Sequence, residues 1–202
     1  MQSSLTITII QTHLHWENKA ANLAMLSQKI MSIKEKTEVV ILPEMFSTGF
    51  SMKAEEFAET MDGETVQWMQ NIAQQKKIIL TGSLIIKEEN KYYNRLVWML
   101  PNGSYGYYNK RHLFGYAEED KHYTAGNKRL ITSVKGWKIN TQICYDLRFP
   151  VWSRQAPSPL VEKEGDEVEY DVLLYVANWP ERRNNAWQTL LAARAIENQC
   201  YV

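Results

Sequence analysis

Cys144, one of two cysteines in a chain of 202 residues, stands in the stretch NTQICYDLRFPVW, between an alternating apolar run and a cluster of charged and aromatic residues. A thiol so placed is either a small apolar filler or a nucleophile. Attack on the carbon–nitrogen bond of an amide needs a nucleophile, a base to activate it, a positive or hydrogen-bonding group for the oxyanion, and a proton for the leaving nitrogen. With a reference pKa of about 8.5, a free thiol is mostly protonated at neutral pH, so a carboxylate able to take its proton matters. Glu44, directly after an apolar run and Pro43, can supply that carboxylate, and Lys110 can supply an ammonium. The backbone N–H of Tyr145, next after the thiol, is a natural second donor to an oxyanion. Taken singly, each residue has a plainer reading as a capping carboxylate, a solvated lysine or a buried filler.

These groups need elements to position them, and strand-like and helix-like segments alternate along the chain. Residues 5–10 are β-branched and predict a strand; residues 17–36 carry Leu23, Leu26, Ile30 and Ile33 on one helical face. Residues 38–42 form a continuous apolar run of the kind buried on both faces, ended by Pro43. Val66, Met69 and Ala73 predict a helix starting near Asp62-Gly63. A strand over 78–86 follows, and its interior Gly82 marks a bend or a close approach of backbone. Residues 93–100 and 104–108 flank Pro101-Asn102-Gly103, an Asn-Gly hairpin signal that brings antiparallel strands into the sheet. A strand pair around Gly136 leads into residues 139–144, and residues 171–177 predict another buried strand. Residues 187–198 predict a last helix with Trp187, Leu190, Leu191 and Ala195 inward. The result is an α/β protein with a mixed sheet, in which reactive groups collect beyond the carboxyl ends of strands, where Glu44, Lys110 and Cys144 all fall. Residues 156–170, with two prolines and an acidic run, predict a solvated surface loop.

Composition narrows the classes. A hydrophobic content of 45% with 23% charged residues fits one globular domain, residues 1–202. Lysine plus arginine equals aspartate plus glutamate, at 23 each, so no bulk field draws in nucleic acid or an anionic membrane. The start MQSSLTITII has neither a basic segment nor a small-residue cleavage site, and no apolar run approaches the roughly 18 residues of a membrane span, so a cytoplasmic protein with two free thiols is expected.

The segments LPEMFSTGF (42–50), YNKRHLF (108–114) and QICYDLRFP (142–150) resemble, in order, the three signatures of the nitrilase, or carbon–nitrogen hydrolase, superfamily. YVANWP (175–180) and RAIENQCYV (194–202) resemble its later segments, so the similarity runs along essentially the whole chain. The resemblance implies an αββα sandwich with mixed sheets, here lacking the C-terminal strands of the family, and a homodimer. It implies Cys144 as nucleophile, Glu44 as general base and Lys110 as the cation for the oxyanion, with no metal or organic cofactor. It also implies a second glutamate that positions the lysine, matched in GYAEEDKHY by Glu119, with Glu118 the alternative in an ungapped reading. CYDLRFP with KRHLF and YVANWP is most similar to the omega-amidase branch, whose small-molecule substrates are dicarboxylic acid monoamides such as 2-oxoglutaramate and 2-oxosuccinamate; the alternatives are another amidase or a carbamoylase of the superfamily, or a truncated, non-catalytic binding protein.

Phe46, Tyr116, Tyr145 and Trp179 lie near the motif loops and are candidate pocket walls. Arg148 is a candidate for a substrate carboxylate unless Asp146 engages it, and the two have the look of a charge pair. His112 and His122 bracket the lysine loop, but a thiol–imidazole site would leave Glu44 and Lys110 unexplained. No close paired spacing of ligands suggests zinc, and Cys200 reads as structural.

Overall fold

In the computed structural model, which describes residues 4–155 and 168–202, eight strands form two mixed sheets. In the first, β1 (Ile7–Ile9), β2 (Val39–Ile41) and β3 (Ile79–Glu88) are parallel, while β4 (Lys91–Met99) and β5 (Tyr105–Asn109) continue it antiparallel. In the second, β6 (Leu130–Val134) pairs antiparallel with β7 (Trp137–Ile143), which pairs parallel with β8 (Val172–Val176). The helices before β3 are α1 (Lys19–Met31), the short α2 (Ala54–Phe57) and α3 (Glu64–Lys76).

The period-two alternation of strands sorts the core into layers. Val40, Leu80, Val97 and Met99 pack with Leu23, Leu26 and Ile30 of α1 and with Val66, Met69, Ile72 and Ala73 of α3. On the other face, Val39, Ile41, Ile79, Leu96 and Trp98 meet Val134, Ile139, Ile143, Leu174 and Val176 of the second sheet. That two-sided burial is why residues 39–42 form an unbroken apolar run, which Glu38, paired with Lys135 at the surface, does not join.

After β5 come α4 (Glu119–His122), α5 (Pro150–Ser153) and α6 (Asn184–Asn198). Ser153 and Arg194 neighbour Tyr175 on the outer side of the second sheet, which makes this the fourth layer. The apolar stripe expected on α6 is not its buried face: Arg194 and Asn198 are buried, and Trp187, Leu190, Leu191 and Ala195 are half-buried. Arg194 donates through Nε and Nη2 to the Leu147 carbonyl at 3.1 and 2.7 Å, and Asn198 Oδ1 accepts from the Gln155 N–H at 3.2 Å. Polar anchoring of backbone groups left over by the turn after β7 therefore decides how this helix faces. Residues 156–167 of the expected surface loop lie outside the described residues, whereas Tyr170 at its end is fully buried and donates its hydroxyl to the Ser153 carbonyl. No helix among the described residues is long and apolar enough to cross a membrane.

Gly82 marks a close approach. A Cβ there would lie 2.8 Å from Leu42 Cβ and 2.8 Å from Phe46 Cδ1. The contact lets β3 clamp the segment that carries Glu44: Leu42 N–H donates to the Thr81 carbonyl at 2.7 Å, Phe46 N–H to the Ser83 carbonyl at 3.0 Å, and Met45 N–H to Ser83 Oγ at 2.9 Å. Gly82→Ala is expected to cost about 1–3 kcal/mol by overpacking, read from the urea unfolding midpoint. An unchanged midpoint would show that the clamp yields freely.

Candidate active site

Four strands deliver the site at their carboxyl ends. Glu44 follows β2 after Leu42 and Pro43, Lys110 is the residue after β5, Cys144 the residue after β7, and Asn178 lies just past β8. Two antiparallel pairings separate β5 from β3, so β5 points the same way as β2.

Lys110 is the centre of the array. Its Nζ donates to Glu44 Oε1 at 2.8 Å and to both oxygens of Glu119 at 3.1 and 2.9 Å. Asn94, on β4, donates through Nδ2 to Glu44 Oε1 at 2.8 Å and to Glu119 Oε1 at 3.1 Å. Glu44 Oε2 accepts from the Asn178 N–H at 3.0 Å, and Glu119 Oε2 from the Phe114 N–H at 2.6 Å. None of the four side chains exceeds 1% exposure. Of the two adjacent glutamates, Glu119 is the buried one, while Glu118 is exposed and pairs with Lys121 at 2.6 Å. Asn94 escaped the sequence reading; its signal was the polar pair Asn94-Arg95 inside an otherwise aromatic and aliphatic strand, since buried polar groups require partners.

Cys144 is buried and has φ 43°, in the left-handed region that costs a side-chain-bearing residue about 1–2 kcal/mol. It opens the tight turn Cys144–Arg148. Asp146 holds this turn: Oδ2 accepts from Ile143 N–H at 3.1 Å and Tyr108 hydroxyl at 2.7 Å, and Oδ1 accepts from His112 N–H at 2.9 Å, with His112 Nδ1 at 2.8 Å. The expected pairing of Asp146 with Arg148 is thus replaced. Asp146 folds back into the buried side of its own turn, and Arg148 is exposed with its guanidinium carbon 5.6 Å from the Trp179 ring centre. His112 is spent on Asp146 and on stacking with Phe149 at 3.7 Å, and His122 is exposed.

Tyr145, half-buried, sets its ring edgewise to Phe114 at 4.9 Å and to Phe149 at 5.3 Å. Tyr116 is 79% exposed near Phe114, and Trp179 packs on Trp187 at 5.0 Å. Phe46 is placed elsewhere: it is fully buried in the layer between the helices and the first sheet, 5.8 Å from Trp68, filling the space that Gly82 leaves.

Burial and neighbouring charges shift the titration of three of these groups. Burial alone would lower the Lys110 pKa, but the charges of Glu44 and Glu119 outweigh it and hold the ammonium protonated. Burial, helped by the charge of Glu44 and opposed by Lys110, pushes Glu119 up. Burial, then the charge of Glu44 and its hydrogen bond to the thiol, push Cys144 well above the usual thiol range against the pull of Lys110 and the Asn178 N–H. The Cys144 thiol, its pKa raised, thus lies in hydrogen-bond reach of Glu44, whose Oε1 is anchored to Lys110.

The family description "carbon-nitrogen hydrolase" matches residues 6–202. The chain belongs to the carbon–nitrogen hydrolase family. Within it, the chain is 43% identical over 198 residues to the omega-amidase YafV of Escherichia coli (strain K12), covering 98% of this chain and 72% of that protein. It is 30% identical to the 2-oxoglutaramate amidase of Bacillus subtilis (strain 168), covering 98% and 74%. The crystal structure of XC1258 from Xanthomonas campestris, a CN-hydrolase superfamily protein with an arsenic adduct in its active site, matches with a TM-score of 0.91 at 44% identity, over 97% of this chain and 73% of that one. The two mixed sheets are thus those of the αββα sandwich of carbon–nitrogen hydrolases.

The raised thiol pKa has a measurable consequence. Alkylation of Cys144 by iodoacetamide, followed by mass spectrometry in a Cys200→Ser background, is expected to rise about tenfold per pH unit up to about pH 9, because only the thiolate reacts. A plateau below about pH 8 would instead reveal a preformed thiolate.

Proposed function

We propose that this carbon–nitrogen hydrolase cleaves the terminal amide of small dicarboxylic acid monoamides, of the 2-oxoglutaramate and 2-oxosuccinamate type, through a thioester on Cys144. The observation that carries the reading is the disposition of Glu44. One of its oxygens is held by Lys110 and Asn94, and the other accepts from the Asn178 N–H beside the thiol. Such a carboxylate is oriented to take a proton from sulfur and to give it up again.

In the proposed cycle Cys144 Sγ bonds to the amide carbon while its proton passes to Glu44. The carbonyl oxygen becomes an oxyanion, stabilised by Lys110 and the Tyr145 N–H. Glu44 then protonates the nitrogen, the carbon–nitrogen bond breaks, ammonia leaves, and an acyl-thioester remains. Water delivers a proton to Glu44 as its oxygen bonds to the acyl carbon. The carbon–sulfur bond breaks, and the proton returns to Cys144. Glu119 keeps Lys110 in place and acts on the reaction only through it.

The substrate class draws support from the omega-amidase and 2-oxoglutaramate amidase relatives, which the chain matches over nearly its whole length. It also fits the rim, where Tyr145, Tyr116 and Trp179 supply aromatic walls and Arg148, released from Asp146, supplies a cation. Ammonia release from 2-oxoglutaramate, beside a simple nitrile and an N-carbamoyl amino acid, tests the proposal. Cys144→Ala is expected to abolish release, and Glu44→Gln to lower kcat by about 10²- to 10⁴-fold. Activity confined to the nitrile or the carbamoyl compound would overturn the substrate class while keeping the chemistry.

A further inference from the structure

Arg183 ends the short turn Glu181–Arg183, in the connection between Asn178 and α6. Its guanidinium carbon lies 5.1 Å from the ring centre of Phe114 and 5.1 Å from that of Tyr116. Phe114 is itself part of the site, since its N–H binds Glu119 and its ring touches Tyr145, the residue after the nucleophile. The backbone of Arg183 is fixed: its N–H donates to the Pro180 carbonyl at 2.9 Å and its carbonyl accepts from Trp179 Nε1 at 2.9 Å. The same indole underlies Arg148. Two guanidinium groups therefore stand at one aromatic rim, and among the described residues neither pairs with a carboxylate, whereas Arg95, Arg129 and Arg194 each do.

On the reading that the substrate is an anionic amide, we propose that Arg183 is a specificity-determining residue that binds the substrate carboxylate beside Arg148. A guanidinium resting on aromatic rings has its ring-facing sides occupied and its in-plane N–H donors directed outward, the arrangement that receives a carboxylate in bidentate fashion. The buried end of the site imposes the polarity. There the single ammonium, Lys110, is already engaged by two acidic side chains, Glu44 and Glu119, all of them buried, so that end offers no free cation to a carboxylate and suits the neutral amide. Free cations at the rim and an engaged one inside thus orient the substrate, carboxylate outward and amide toward Cys144.

Steady-state kinetics of the purified protein with succinamate and with a neutral amide of similar length, butyramide, test this for Arg183→Met and Arg183→Lys. In Arg183→Met the ratio of kcat/KM for the anionic over the neutral amide is expected to fall about 10- to 100-fold, the range for losing a charge-assisted hydrogen bond. The loss should sit in KM, and Arg183→Lys should restore part of it. Equal losses on both amides, or an unchanged ratio in a variant with wild-type thermal midpoint, would overturn the role of Arg183 alone. A wild type without preference for the anionic amide would overturn the substrate class, and this assignment with it. Should Arg183→Met fail to fold, the same ratio in Arg183→Lys decides, because lysine keeps the charge but loses the bidentate fork, and an unchanged ratio there would overturn the proposal.

Discussion

An ammonium enclosed by two carboxylates, all without access to water, is the constraint around which this molecule is arranged. Removing each ion from water costs several kcal/mol, and the mutual attraction repays this only when the remaining oxygens find donors. Here the donors come from Asn94 on β4, the Phe114 N–H before α4 and the Asn178 N–H after β8. The array thus ties both sheets and the loop after β5 into one arrangement. A shift of any of them leaves a buried charge uncompensated, which is a far larger penalty than the loss of an apolar contact. The tight seat of Gly82 against Leu42 and Phe46 belongs to the same constraint, because it holds the backbone of Glu44 in reach of Lys110.

The same enclosure governs Cys144, the proposed nucleophile. Burial and the nearby Glu44 charge outweigh the pull of Lys110 toward the thiolate and hold the thiol pKa well above its usual range. Asp146 answers a different need. By gathering donors from Ile143, His112 and Tyr108 it closes the turn that starts at Cys144, and it performs this work from within the buried side of the second sheet.

Much of this was legible beforehand, and what was not shares a physical cause. Glu44 and Cys144 fall where apolar runs end, which periodicity makes readable, whereas Lys110 and the grouping of the three come from the resemblance of their segments to the carbon–nitrogen hydrolase signatures. The unbroken apolar run of β2 and the stripes of α1 and α3 are equally plain. Asn94, Asp146 and the anchors of α6 were hidden because their partners lie far away in sequence: Asn94 reaches back to residue 44, and Arg194 to the carbonyl of residue 147. Hydrogen bonds of that range leave no period to detect. Phe46 was read as a pocket wall from proximity to the motif, whereas a vacancy made by a glycine on a neighbouring strand determines its direction.

The left-handed backbone of Cys144 also restricts what this scaffold can become. Side chains branched at Cβ are the ones this region tolerates least. Serine, unbranched like cysteine, can inherit the turn with an oxygen in place of sulfur, whereas threonine adds a methyl group where the backbone has no room for it. The side chains that can succeed Cys144 are therefore fewer than the chemistry of hydroxyl groups alone would suggest, and the filter is the shape of the turn.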